Sequence, residues 1–359
     1  MRPAQHAPRL ITDDLNFEGL QAALTVQQQA FSKRDPDTLL QFGPRTIRLG
    51  DYLRAVNTLL ALDTTQLAAA LNRDFEFFEV FGDQRWGDIF LTSYFEPVIS
   101  GSSQPTPRFT RALYRKPPDL LALDLAKFMP QQEFSRKFRA RLAGSALLPY
   151  YSREEIDSRG ALNGRGLEIC WVDPIDAFFL QVQGSGVVSI DGKQDLKLNF
   201  ADKNGHEYQA IGKFVKEKIA PRQVDLPSLE AYLRSLSPAE AQRIMNLNPS
   251  YVFFEPGVSN ARTASGLPAT AGRTIATDHR LFPKGALGLL EFDKPVLEAG
   301  SDRQLGTQRV SRLVLDQDTG GAITGPGRVD LFWGRGEEAK RYAGIIKGRG
   351  RLYYLVPKV

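Results

Sequence analysis

From Ser250 to its end the chain is a succession of short aromatic and β-branched runs, "SYVFFEP", "GRTIATD", "LGLLEFD", "SRLVLDQD", "VDLFW" and "RLYYLVPKV", divided by glycine- and proline-bearing turns. Many short strands without helices alternating between them argue for a barrel and against a doubly wound parallel sheet. Helical periodicity is confined to the front and the middle. Within residues 17–75, "FEGLQAALTVQQQAF", "IRLGDYLRAVNTLLAL" and "TTQLAAALNRDF" repeat apolar positions at helical spacing and predict three helices. The segment "RWGDIFLTSYFEPVISGS" then reads as a strand ending in a polar turn. Farther on, "EICWVDPIDAFFLQVQGSGVVSI" predicts hairpin strands, while "SLEAYLRSLSPAEAQRIMNLNP" predicts helix, its second half opened by a Ser-Pro-Ala-Glu cap. A chain of 359 residues exceeds one ordinary core, so two domains are expected.

The formal net charge is +5, and the basic residues are scattered without an arm or run, so no nucleic-acid surface is expected. A single cysteine, Cys170, excludes an intrachain disulfide, and its place in "LEICWVD" suits a buried small hydrophobe. Three histidines without HExxH spacing give no protein-held catalytic zinc, and neither metal nor cofactor is expected. The opening "MRPAQHAPRLITDD" has no apolar signal core and no lipid-accepting cysteine, and no stretch approaches the roughly 18 apolar residues of a membrane span. The expectation for the chain as it stands is a soluble monomer.

Chemistry concentrates in "DQDTGGAITGPGRVDLFWGRG", residues 316–336. Asp318-Thr319-Gly320 is the aspartic-protease tripeptide, but that chemistry needs a second such loop, and the chain carries one copy. Gly334-Arg335-Gly336-Glu337-Glu338-Ala339 fits G-x-G-x-x-G/A, yet no acid follows Glu338 and no room remains for a βαβ unit, so these glycines read as a tight turn into a short helix. Asp318 and Asp330 remain. Two strands joined by the glycine-rich turn could bring both carboxyls to one cleft, with Val329, Leu331, Phe332 and Trp333 as an apolar wall raising a pKa. Equally, Asp318 could cap a turn and Asp330 stand exposed on a strand. Spacing alone does not decide.

Six segments, "SYFEPVISGS" (93–102), "FFLQVQGSGVV" (178–188), "FADKNGHEYQAIGK" (200–213), "NPSYVFFEP" (248–256), "GLPATAGRTIATDHRLFPKG" (266–285) and "DQDTGGAITGPGRVDLFWGRGEEAKRYAG" (316–344), resemble the membrane-bound lytic transglycosylase A family in its own order. The carboxy-terminal part resembles the 3D domain, whose three aspartates fall here at Asp278, Asp318 and Asp330. The resemblance implies a mainly β fold with amino-terminal helices: a double-psi β-barrel from residues 1–105 and 262–359, an inserted smaller β-domain from residues 106–261, and a groove between them. It implies cleavage of the β-1,4 bond between N-acetylmuramic acid and N-acetylglucosamine with 1,6-anhydro ends and no water consumed. Peptidoglycan glycan strands are the implied partner, other wall-remodelling enzymes are candidate companions, and the implied setting is the periplasm or the outer membrane.

A single carboxyl suffices for that reaction. Ordinary glycosidases need an acid and a separate base or nucleophile. Where the substrate's own C6 hydroxyl attacks, Asp330 can protonate the leaving oxygen and then, as carboxylate, take the hydroxyl proton, while the attached nucleophile spares the positioning of a water. The resemblance makes Asp330 catalytic; Asp318, with the nearby N–H groups of Gly320, Gly321 and Ala322, would orient it or stabilise the oxocarbenium-like state. Asp278 is expected to set loop structure. Gln183, Gly184, Ser185 and Gly186 are placed at the groove, although as a bare tetrapeptide they read as a hairpin turn. Asn204-Gly205 reads as a turn. Lys203, Asn204 and Tyr208 are candidates for sugar hydroxyls or acetamido groups, Trp333 for stacking on a sugar face, Tyr94 for the cleft border and Arg273 for pairing with an acidic group. His206 reads as structural. Some members carry His-Phe-Asp where this chain has Arg328-Val329-Asp330, so no histidine role carries over. Alternatives are an expansin-like binder of wall polysaccharide and a two-carboxylate hydrolase with Asp318 as base.

Overall fold

The strand-rich carboxy-terminal run closes on itself with one strand from before the insertion. In a computed structural model, which describes residues 1–6, 8, 11–82, 85–129, 131, 138–219, 226–257, 261–298 and 303–358, strand Asp88–Glu96 is followed in hydrogen-bonded order by Lys347–Pro357, Leu287–Leu297, Gln304–Asp318, Thr274–Ala276 and Arg328–Arg335, which returns to Asp88–Glu96. This six-stranded ring is the barrel of the first compact unit, residues 1–95 with 260–359, so strands from both ends of the chain build it. Closure leaves the ring without the unpaired edges that template aggregation.

The three expected helices are Leu20–Phe31, Leu49–Leu60 and Thr64–Asp74. Leu20, Leu24 and Phe31 fall on one stripe of the first, as do Leu49, Tyr52, Val56 and Leu59 on the second, and all pack into one core with Leu289, Leu313, Tyr354 and Leu355 of the barrel. Burying a side chain of this size stabilises by about 1.5–3 kcal/mol. Tyr52 also joins helix to barrel, because its hydroxyl donates to the Leu355 carbonyl (3.1 Å) and accepts from the Leu287 N–H (2.8 Å). A short hairpin, Leu39–Phe42 with Arg45–Arg48, separates the first two helices.

The amino-terminal segment is fastened by two buried arginines of the barrel. Arg273 donates to both oxygens of Asp13 (2.6 and 2.9 Å), and Arg312 to both of Asp14 (2.7 and 2.6 Å). Burial works against ionisation of Asp13, but Arg273 and the N–H groups of Leu313 and Phe17 hold its carboxyl below the usual range.

The second compact unit, residues 96–259, is built on a sheet in the order Val252–Gly257, Gln194–Lys203, Gly186–Ile190, Val98–Ser102, Glu168–Val172 and Arg111–Tyr114. A bridge between Arg115 and Phe254 links its two outer strands, so this sheet too curls into a partly closed barrel. Helices Leu226–Ser235 and Pro238–Met245 follow the sequence reading, including the box in which the Ser237 hydroxyl and the Glu240 carboxylate cap each other's backbone. Cys170 is buried in the core as expected, its thiol pushed up to about 12 by burial.

One segment corrects the sequence reading. Residues 174–183, expected within hairpin strands, form helix Pro174–Gln183. Asp173 caps it by accepting from the N–H groups of Ile175 and Asp176, Pro174 occupies the first turn where its missing N–H costs nothing, and Gly184 ends it at φ 84°. The Gln183 to Gly186 tetrapeptide is accordingly a helix stop and a strand start, not a hairpin turn. Gly186 has no space for a Cβ, which would stand 2.9 Å from the Pro97 carbonyl oxygen.

Candidate active site

A strand of only three residues, Thr274–Ala276, organises the carboxylates. It runs parallel to Gln304–Asp318 on one side and antiparallel to Arg328–Arg335 on the other, and Ala276 is the register partner of Asp318 in the first and of Asp330 in the second. Side chains opposite one another on neighbouring strands share a face. The two aspartates therefore flank the Ala276 methyl, their Cα atoms about 10 Å apart at two strand spacings.

A β-bulge makes this possible. Ile275 pairs with Asp316 but Ala276 with Asp318, so Gln317 is the extra residue. Asp316 thus follows Ile275 to one face while Asp318 follows Ala276 to the other; bulges re-aim side chains in this way beside functional sites. Asp316 is buried with the Lys284 ammonium (2.6 Å) and the hydroxyls of Thr277 and Tyr354 (2.6 Å each). Lys284 also donates to the Asp318 carbonyl (2.7 Å), which holds the strand end in place.

The barrel's entry strand supplies the remaining partners. Thr92 and Tyr94, two positions apart on Asp88–Glu96, point to one face. The Thr92 hydroxyl donates to Asp330 Oδ1 (2.8 Å) and the Tyr94 hydroxyl to Asp318 Oδ2 (2.7 Å). Asp318 Oδ1 further accepts from the N–H groups of Ala264 (2.7 Å) and Thr319 (2.8 Å).

This asymmetry assigns the charges. Burial raises the pKa of both carboxyls, but Asp318 has three donors that favour its ionised form. Asp330 is pushed up to about 6, by burial first; Thr92 and Arg328 oppose the rise and Asp318 adds to it. The two carboxyls thus differ: three donors favour the charged form of Asp318, whereas Asp330 keeps its proton up to about pH 6. Tyr94, buried beside Asp318, is pushed well above the usual tyrosine range and stays a neutral donor.

Of the residues singled out in the sequence, the structure brings together Tyr94, Asp318 and Asp330, with Arg328, noted in the sequence only as a departure from the family pattern, close by; it adds Thr92, Ala264 and Lys284, none of which a local motif marks. Asp278 lies behind the loop: Arg280 holds its carboxyl well below the usual range, and it accepts the Gly325 N–H (2.8 Å). Gly320, Gly321 and Ala322 share that loop, but the backbone donors to Asp318 come from Thr319 and Ala264. Arg273 pairs with an acid as expected, but that acid is Asp13, and its full burial keeps it from a sugar. Trp333 is committed to packing, stacked on Tyr342 (5.0 Å between ring centroids) under the Arg312 guanidinium.

In the second unit Asn204 is also structural. It is 1% exposed, its amide donates to the carbonyls of Tyr151 and Pro249, and its oxygen accepts the Tyr251 N–H. His206 bonds the Tyr150 carbonyl (2.7 Å). Lys203 and Tyr208 stay exposed.

Known proteins match both units. The MltA specific insert domain family matches residues 90–255, and the 3D domain family matches residues 273–356. Membrane-bound lytic murein transglycosylase A of Escherichia coli (strain K12) is 29% identical over 278 residues, 76% of this chain and 67% of that protein. The Vibrio cholerae protein of the same name is 28% identical over 326 residues, 89% and 71% of the two chains. Among solved structures, a membrane-bound lytic murein transglycosylase from Agrobacterium tumefaciens superposes with a TM-score of 0.77 at 24% identity over 95% of this chain and 93% of its own. E. coli MltA with bound chitohexaose gives 0.73 at 24% identity over 99% and 93%. With both domain families present in order and relatives of one name along most of its length, the chain belongs to the membrane-bound lytic transglycosylase A family.

Proposed function

We propose that this protein is a peptidoglycan lytic transglycosylase with Asp330 as its one acid and base. The carrying observation is a half-buried Asp330 carboxyl that accepts the Thr92 hydroxyl on Oδ1 and that burial pushes up to about 6, beside an Asp318 whose three donors favour its charged form. The proton of Asp330 passes to the glycosidic oxygen as the bond from C1 of N-acetylmuramic acid breaks. The C6 hydroxyl of the same sugar then attacks C1 and returns its proton to the Asp330 carboxylate, giving a 1,6-anhydro ring and a restored acid. Asp318, fixed by Tyr94, places negative charge where the oxocarbenium-like transition state is positive.

The names of the relatives, and the chitohexaose held by one structural neighbour, support a glycan strand as substrate. We assign catalysis to the unit of residues 1–95 and 260–359 and glycan holding to that of residues 96–259, where Lys203 and Tyr208 offer exposed contacts. The setting that supplies this substrate is the periplasm.

Incubation of purified peptidoglycan with the protein tests the assignment. Release of soluble muropeptides is expected; wall binding without release, from a folded preparation, would assign the chain to the non-cleaving binders instead.

A further inference from the structure

Arg328 stands where the family's histidine role could not be carried over, and its surroundings are unusual for a guanidinium. It is half-buried, and among the described residues no carboxylate lies within ion-pair distance of it. Its Nη1 donates to the Phe90 carbonyl (3.3 Å), its Nη2 donates to Thr92 Oγ1 (3.2 Å), and its Cζ lies 4.9 Å from the Phe90 ring centre. Thr92 in turn donates to Asp330 Oδ1 (2.8 Å).

We propose that Arg328 is a positioning residue which, through Thr92, fixes the catalytic proton of Asp330 on Oδ2. This rests on the reading of Asp330 as the acid. A hydroxyl can donate to a carboxyl oxygen or accept from it, and Thr92 left alone could do either. The cation at Arg328 settles the choice, since a positive group on the Thr92 oxygen repels the hydroxyl hydrogen and sends it toward Asp330 Oδ1. With Oδ1 already accepting a hydrogen, the proton of the carboxylic acid resides on Oδ2, free of Thr92 and available to the leaving oxygen. The opposite arrangement, a proton on Oδ1 donated to Thr92, would hold the acid in an unproductive bond. Phe90 and its carbonyl keep the guanidinium in place, so that its charge reaches Asp330 through space and through Thr92 without a direct ion pair.

The test is a cycle of Thr92→Val, Arg328→Met and the double variant, assayed on glycan strands across pH, with thermal melting to confirm folding. Each single change is expected to lower kcat by roughly 10-fold or more at little change in KM, within the range by which positioned proton donors act. The double variant should lose no more than the worse single one, because both abolish the same oriented donation from Thr92 to Asp330 Oδ1. The alkaline limb of the rate profile should move to higher pH in Arg328→Met, since a nearby cation that favours ionised Asp330 is gone; a merely structural role would leave that limb in place. If Arg328→Met fails to fold, Arg328→Gln serves, retaining donors without the charge, with the same limb shift expected. Additive losses, or a raised KM at unchanged kcat, would overturn the relay. Should Asp330→Asn keep its rate, the acid assignment itself falls; should Asp330→Asn be inactive while Arg328→Met keeps both rate and limb, only the relay falls.

Discussion

Asp330→Asn is expected to lower kcat/KM by about 10³-fold or more, within the range that positioned acid–base groups contribute. The amide oxygen still accepts from Thr92, but the group has no acidic proton to give to a leaving oxygen. Loss of fold is not the cause expected. The carboxyl titrates from 3.8 in the unfolded chain to about 6 in the fold, so the stability it contributes is present below about 4 and lost as pH rises toward about 6. Asparagine carries no charge to bury, and the variant should melt at or above the wild-type temperature at pH 8. The wild-type profile follows from the same group: kcat/KM should fall as pH rises through about 6, with no acid limb from Asp330, because protonation of the leaving oxygen generates the carboxylate that serves as base. A bell with two carboxylate limbs, by contrast, would indicate a second essential acid or base.

Arg273→Met is expected to destabilise the protein by about 3–5 kcal/mol, the cost of leaving a buried ion-pair partner uncompensated. Both side chains of the Asp13–Arg273 pair are fully buried, and Arg273 also donates to the carbonyls of Glu18 and Leu313. Its position explains the reach of the damage. Arg273 immediately precedes the three-residue strand on which Ala276 separates the two aspartates, so freeing the amino-terminal segment also frees the strand that spaces the site. Urea unfolding should show the loss as a lower midpoint, and adding Asp13→Leu should restore part of it by removing the stranded charge. An unchanged midpoint would mean that the pair does not fasten the segment.

Local pattern made the scaffold legible. The three amino-terminal helices announced themselves by periodicity, and the carboxy-terminal strands by β-branched runs between turns. The glycine-rich stretch between Asp318 and Asp330 drew attention to the two carboxyls that flank Ala276 in the barrel. Helix Pro174–Gln183 was misread because "FFLQV" has strand propensity, although its caps, Asp-Pro before and glycine after, were present in the sequence. Thr92 was invisible for another reason: it reaches Asp330 across 238 positions, only because the ring closes between its first and sixth strands. The facing of Asp318 depends on a one-residue bulge, and no alternation pattern could separate it from Asp316. Arg273 and Asn204 were singled out for chemistry because polar residues in a motif invite it, whereas both are buried in structural networks, Arg273 on Asp13 and backbone carbonyls and Asn204 on backbone groups alone.

The most direct measurement is mass spectrometry of the soluble products formed from peptidoglycan in H2(18)O. Attack by the substrate's own C6 hydroxyl should give 1,6-anhydro-muropeptides carrying no label. Reducing-end muropeptides with one heavy oxygen at C1 would show that water is the nucleophile, and would contradict the single-carboxyl account.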